Sequence, residues 1–85
     1  MLLAKIVTPW YEVEGRKYIN LELDDGQVIR AKVPWRYGRV MCKVDGIRPI
    51  QELQLNETVQ VILDKKHWDG NIYYVIISLR SSPLV

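Results

Sequence analysis

The stretch KYINLELDDGQVIRAKV, residues 17–33, alternates apolar and polar side chains on both sides of an acidic turn. In its first half Ile19, Leu21 and Leu23 fall on one side of an extended chain, and Tyr18, Asn20 and Glu22 on the other. Asp24-Asp25-Gly26 then supplies a tight turn, since Asp side chains bond nearby backbone and Gly accepts a positive φ. In the second half Ile29, Ala31 and Val33 point inward, leaving Val28, Arg30 and Lys32 outward. A period of two that resumes after a turn specifies a β-hairpin with one apolar and one polar face.

The composition extends this reading to the whole chain. Phe is absent, Ala occurs only at positions 4 and 31, and Val, Ile, Leu, Tyr and Trp dominate. Helix-rich domains use Ala freely, whereas β-branched and aromatic residues suit pleated, half-buried surfaces. The 85 residues suffice for one domain, which at this size buries only about 60–65% of its unfolded surface. The domain is assigned to residues 1–80 and a frayed tail to residues 81–85.

Working outward, Leu2–Val7 reads as a first strand, ended or bent by Pro9, with Trp10–Gly15 as a loop or a continuation. Thr58–Leu63 resumes a strand with Val59, Val61 and Leu63 on its core face. Asp64–Gly70 is a charged, turn-forming excursion. Ile72–Leu79 is an almost continuous apolar run, the pattern of a strand buried on both faces. Ile47–Leu55 contains Pro49 and reads as an irregular connector pinned by Ile50, Leu53 and Leu55.

Residues 35–44 admit two readings. As a helix, Tyr37, Val40, Met41 and Val44 form one apolar face, with Pro34 at its start and Gly46 as a left-handed cap. Arg36, Arg39 and Lys43 then share the wet side. As a strand, Val40, Cys42 and Val44 alternate with Arg39, Met41 and Lys43, and Asp45-Gly46 becomes a hairpin turn. Gly38 weakens the helix by about 1 kcal/mol relative to Ala. The helix is the reading adopted.

The order is therefore three strands, a short helix, then two strands. This layout resembles the OB-fold, a five-stranded Greek-key barrel with a helix between its third and fourth strands. The resemblance spans residues 2–80 and lies in element order. LNETVQVILDKKHWDGNIYYVIISL, residues 55–79, resembles the last hairpin of such barrels, with residues 64–71 as its connecting loop. An SH3-like barrel follows from the same pattern if residues 39–50 form a hairpin.

Charge points to a partner. Arg30–Arg48 holds six cations and one anion, Asp45, a local excess of +5 in a chain of net +2. Trp35 and Tyr37 lie inside it. Cations interleaved with aromatics suit a ligand with both phosphates and exposed bases. The OB-like resemblance implies contact through the outer face of strands two and three and the loops beside them. That face carries Tyr18, Asn20, Arg30 and Lys32, the first loop Trp10 and Tyr11, and the last hairpin Lys65, Lys66, His67 and Trp68. Trp35 and Arg36 follow strand three, and Tyr37, Arg39 and Lys43 complete the basic stretch. The competing reading is a solvated face balanced by Glu22, Asp64 and Asp69. Of eight aromatic residues several belong to the core, Tyr73 or Tyr74 among them.

Catalysis finds little support. His67 is the sole histidine, and Cys42, the sole cysteine, sits among Val40, Met41 and Val44, as a small buried hydrophobe does. Asp24-Asp25 is turn chemistry. No metal site, cofactor or enzyme activity is expected. The apolar start MLLAKIVTPW is too short for a signal peptide or membrane span, so a cytoplasmic location is assigned, and the Asn56-Glu57-Thr58 sequon carries no weight. The expected function is non-catalytic binding of single-stranded DNA or RNA. The alternative is a protein-interaction adaptor or homodimer module docking through Val28, Ile62 and Ile72.

Overall fold

The computed structural model describes residues 2–82. Its strands are β1 (Leu2–Val13), β2 (Arg16–Leu23), β3 (Val28–Lys32), β4 (Trp35–Arg36), β5 (Arg39–Val40), β6 (Lys43–Val44), β7 (Arg48–Pro49), β8 (Thr58–Trp68) and β9 (Asn71–Ser81). Among the described residues the helical content is one 3-10 turn, Ile50–Glu52.

The hairpin at 17–33 forms as its pattern demands. β2 and β3 pair antiparallel, with Tyr18 opposite Lys32, Ile19 opposite Ala31 and Asn20 opposite Arg30. β1 pairs antiparallel with β2 on one edge and β8 on the other, and β8 pairs antiparallel with β9. A short parallel pairing of β3 with β9, Ala31 opposite Tyr74 and Lys32 opposite Val75, closes the ring. The result is a five-stranded mixed β-barrel in the order β1-β2-β3-β9-β8 and back to β1. At the β3–β9 seam closure pairs the backbone edges that an open sheet would expose, over two residues of each strand.

The core takes one face of each barrel strand. Ile6, Ile19, Leu21, Ala31, Val59, Val61 and Ile76 are fully buried. Burying an aliphatic side chain of Val, Ile or Leu size stabilises by about 1.5–3 kcal/mol. β1 runs through Pro9 rather than ending there, and shifts register twice, between Ile6 and Thr8 and between Thr8 and Tyr11. Bulges of this kind bend a strand, which lets β1 serve both halves of the barrel.

The helix expected at 35–44 is not formed. Trp35 pairs with Val40 and Arg36 with Arg39, joined by Tyr37 and Gly38 at φ 50° and 75°. Positive φ at both central residues is the requirement of the tight two-residue hairpin. Lys43 and Val44 then pair with Pro49 and Arg48, and Val44 also lies beside Leu79 in parallel. The apolar face read at helical spacing does not exist: Cys42 and Val44 are buried, Val40 is half-buried and Met41 is 62% exposed. The connector that follows is pinned by Ile50 and Leu53, while Leu55 is exposed.

Two further expectations change. Residues 64–71 are not a loop, because β8 and β9 continue as a two-stranded ribbon to an Asp69-Gly70 turn. Nor is β9 buried on both faces, since Ile72, Tyr73 and Ile77 are exposed. Ile62 pairs with Ser78 and Leu63 with Ile76, so Ile77 is the extra residue of a bulge. That bulge moves the inward face from Ile76 to Leu79.

The far end of the barrel is tied by polar links. Arg48 donates from Nη1 to Glu57 Oε2 at 2.5 Å and from Nη2 to Glu57 Oε1 at 3.1 Å. The Asp45 carboxylate accepts from the Ser81 N–H at 3.1 Å and the Ser81 hydroxyl at 2.7 Å. Ser81, placed in the tail from sequence, is thus the last residue of β9, and residues 83–85 of that tail lie outside the described residues. No helix among the described residues is long and apolar enough to cross a membrane.

Candidate functional site

Alternation builds the site. With Ile19, Leu21, Ile29 and Ala31 committed to the core, Tyr18, Asn20, Arg30 and Lys32 must point outward. Cross-strand pairing makes them neighbours, and β1 adds Tyr11 opposite Tyr18 and Thr8 opposite Asn20. The Arg30 guanidinium lies 4.0 Å from the Tyr18 ring centroid and 5.8 Å from that of Tyr11. Arg30 Nε donates to the Tyr11 hydroxyl at 3.2 Å, which itself donates to Asn20 Oδ1 at 2.7 Å. Asn20 Nδ2 donates to Thr8 Oγ1 at 3.3 Å. The chain of bonds fixes Arg30 on its aromatic support, and no carboxylate among the described residues forms an ion pair with it.

A groove of about 850 Å³ runs beside this cluster. It exists because β3 and β9 pair only at 31–32 and 74–75, so the strands part towards Val28 and Asn71. One bank carries Arg16, Tyr18, Arg30 and Lys32. The other is the β8–β9 ribbon, with Trp68, Ile72, Tyr73 and Tyr74. Three cations and four aromatics line the groove, and no Asp or Glu does. Trp68 is 75% exposed, with most of its ring open to solvent.

The sequence-derived residues divide accordingly. Tyr18, Arg30, Lys32 and Trp68 line the groove, and Tyr11 supports Arg30 from behind. Trp10 packs against the core. Trp35 lies off the groove, its ring 4.3 Å from the Lys17 ammonium, while Lys17 also pairs with Glu12. Lys66 pairs with Asp64 at 3.5 Å, and Lys65 and His67, cross-strand from Tyr74 and Ile72, do not themselves line the groove. Lys43 belongs to the β6–β7 hairpin beside the end of β9. The +5 stretch is therefore three separate groups: Arg30 and Lys32 on the groove, Arg36 and Arg39 on the β4–β5 hairpin, Lys43 and Arg48 at the far end. Arg16, Tyr73 and Tyr74 line the groove and are absent from the sequence-derived set. Arg16 shares the parity of Tyr18 and was legible; Tyr73 was masked by reading β9 as wholly buried.

Burial pushes the Cys42 thiol up from its ordinary value, which removes nucleophilic thiolate. No cluster of His, Cys, Asp or Glu among the described residues could hold a metal ion. Tyr37, by contrast, stands out at the tip of the β4–β5 turn, 97% exposed with φ at 50°. A non-glycine residue in the left-handed region costs about 1–2 kcal/mol. No family model, curated protein or solved structure matches the chain.

Proposed function

We propose that this domain is an OB-like barrel that binds single-stranded DNA or RNA in the β3–β9 groove, without catalysis. The observation that carries the reading is the groove lining itself: Arg16, Arg30 and Lys32 with Tyr18, Trp68, Tyr73 and Tyr74, and no carboxylate. Backbone phosphates meet the cations while bases stack on the rings, each stack being worth about 1–3 kcal/mol. Held on Tyr18, the Arg30 guanidinium also offers a flat cationic surface to a base. Support for the OB-like reading comes from the strand order and from the groove's position beside β2, β3 and the last hairpin. The 43–49 hairpin is the feature that favours the SH3-like alternative.

Titration with oligothymidylate and with duplex DNA, followed by tryptophan fluorescence, tests this. Three phosphate contacts give a slope of log affinity against log salt of about −2 for a single strand. No fluorescence change with any nucleic acid at low salt removes the reading. It then leaves a protein or a second copy of the chain as the partner of exposed Val28, Ile62, Ile72 and Ile77.

A further inference from the structure

The β4–β5 hairpin is built against its own stability. Arg36 and Arg39 are directly opposite each other across the turn, and like charges so placed repel. Neither forms an ion pair with a carboxylate among the described residues. Between them Tyr37 takes a left-handed conformation that Asn, Asp or Gly would adopt with less strain, and it does so with 97% of its surface in solvent. The ring packs no core to offset that conformation.

The base of the hairpin is held firmly. Met41 N–H donates to Pro34 O at 2.8 Å, Val33 N–H donates to Lys17 O at 2.8 Å, and the Lys17 ammonium lies over Trp35. Lys17 sits between Arg16 and Tyr18, which line the groove. The hairpin therefore stands at the Arg16–Lys32 end, opposite the end bounded by Val28 and Trp68. Arg36 is four residue steps along the chain from Lys32, a reach of at most roughly 14 Å.

We infer that the β4–β5 hairpin is a second, separate nucleic-acid contact, in which Tyr37 stacks on a base of the single strand after it leaves the groove and Arg36 and Arg39 hold the flanking phosphates. Two guanidiniums around an exposed ring suit a phosphate–base–phosphate run, and no negative charge of the chain competes for them among the described ion pairs. The inference rests on the groove reading and lengthens the site beyond it. A short oligonucleotide fills the groove alone; a longer one reaches the hairpin.

The test compares oligothymidylates of about 5 and about 12 nucleotides, within the range of site sizes for such barrels. Tyr37→Asn puts a preferred residue into the turn, so its melting temperature should equal or exceed that of the wild type. Its affinity for the longer oligonucleotide should nevertheless fall about tenfold, with the shorter one unaffected. Arg36→Ala/Arg39→Ala should lower the salt slope for the longer strand from about −3.5 to about −2. Unchanged binding of the longer strand by Tyr37→Asn, in a protein whose Arg30→Ala variant does bind more weakly, overturns the hairpin alone. Failure of the wild type to bind either length overturns the groove and the hairpin together.

Discussion

The Arg30 guanidinium rests on the Tyr18 ring at 4.0 Å while its Nε donates to the Tyr11 hydroxyl at 3.2 Å. A cation stacked on one ring and bonded through a second is already ordered before any ligand arrives. Ordering costs about 0.5–1.5 kcal/mol for each flexible side chain immobilised on binding, and here the fold has met that cost in advance.

Arg30 is thus expected to be more than a positive charge. Arg30→Lys keeps the charge but loses the planar stack and the Nε bond, so it should weaken single-strand binding about as much as Tyr18→Ala, by about 1–3 kcal/mol. Equilibrium titration of both variants checks this, with circular dichroism to verify the barrel. Wild-type affinity in Arg30→Lys would show that only the charge matters.

If the proposed groove binds a single strand, Trp68 should report it. It is three-quarters exposed near the end of the ribbon, whereas Trp10 packs against the core and Trp35 lies off the groove. Trp68→Phe should abolish most of the fluorescence change on binding and reduce affinity less than Trp68→Ala does. Both variants should melt within a few degrees of the wild type, because little buried surface is lost. Full quenching retained in Trp68→Phe would move the ligand away from the ribbon.

How far the sequence reached follows from what each pattern encodes. Residues 17–33 were legible because alternation, turn chemistry and burial agree: Ile19, Leu21, Ile29 and Ala31 are all in the core. The outer face followed from the same parity, and with it Tyr18, Arg30 and Lys32. Residues 35–44 were not legible, because Tyr37, Val40, Met41 and Val44 match a helical stripe by coincidence. The Tyr37-Gly38 turn that overrides it lacks the Asn or Asp that signals such hairpins. In β9 the apolar run concealed a bulge at Ile77, and periodicity cannot register one extra residue. The groove itself depends on where two strands part after a short parallel pairing, a property of register that no local pattern carries.

Closure of the barrel is open to a direct test at Ala31. It is fully buried where β3 meets β9, opposite Tyr74, with its side chain packed in the core cluster. Ala31→Leu should destabilise the domain by about 1–3 kcal/mol through overpacking, and spreading the seam should also alter oligonucleotide affinity. Leu21→Ala, equally buried but inside β2, should cost about 2–5 kcal/mol. Urea denaturation measures both, and wild-type stability in Ala31→Leu would mean that the seam is loosely packed.

Acid should loosen the opposite end of the barrel. The Arg48 guanidinium, through its hydrogen bonds and charge, holds the Glu57 carboxyl below its ordinary value, helped by the Gln54 N–H. The Ser81 hydroxyl and N–H hold Asp45 low in the same way. A carboxylate whose folded pKa lies below its unfolded one stabilises the fold above the unfolded value. That contribution disappears as pH falls through the folded value. Melting temperature should therefore decline on acidification below about pH 5, where unperturbed carboxylates begin to protonate. Glu57→Gln should lower stability at neutral pH by at most about 1 kcal/mol, because both partners of the pair are partly solvated, and should flatten the acid decline. Asp45→Asn should flatten it further. Melting curves between about pH 3 and about pH 7 decide the matter; an acid decline as steep in Glu57→Gln as in the wild type would assign the titration to other carboxylates.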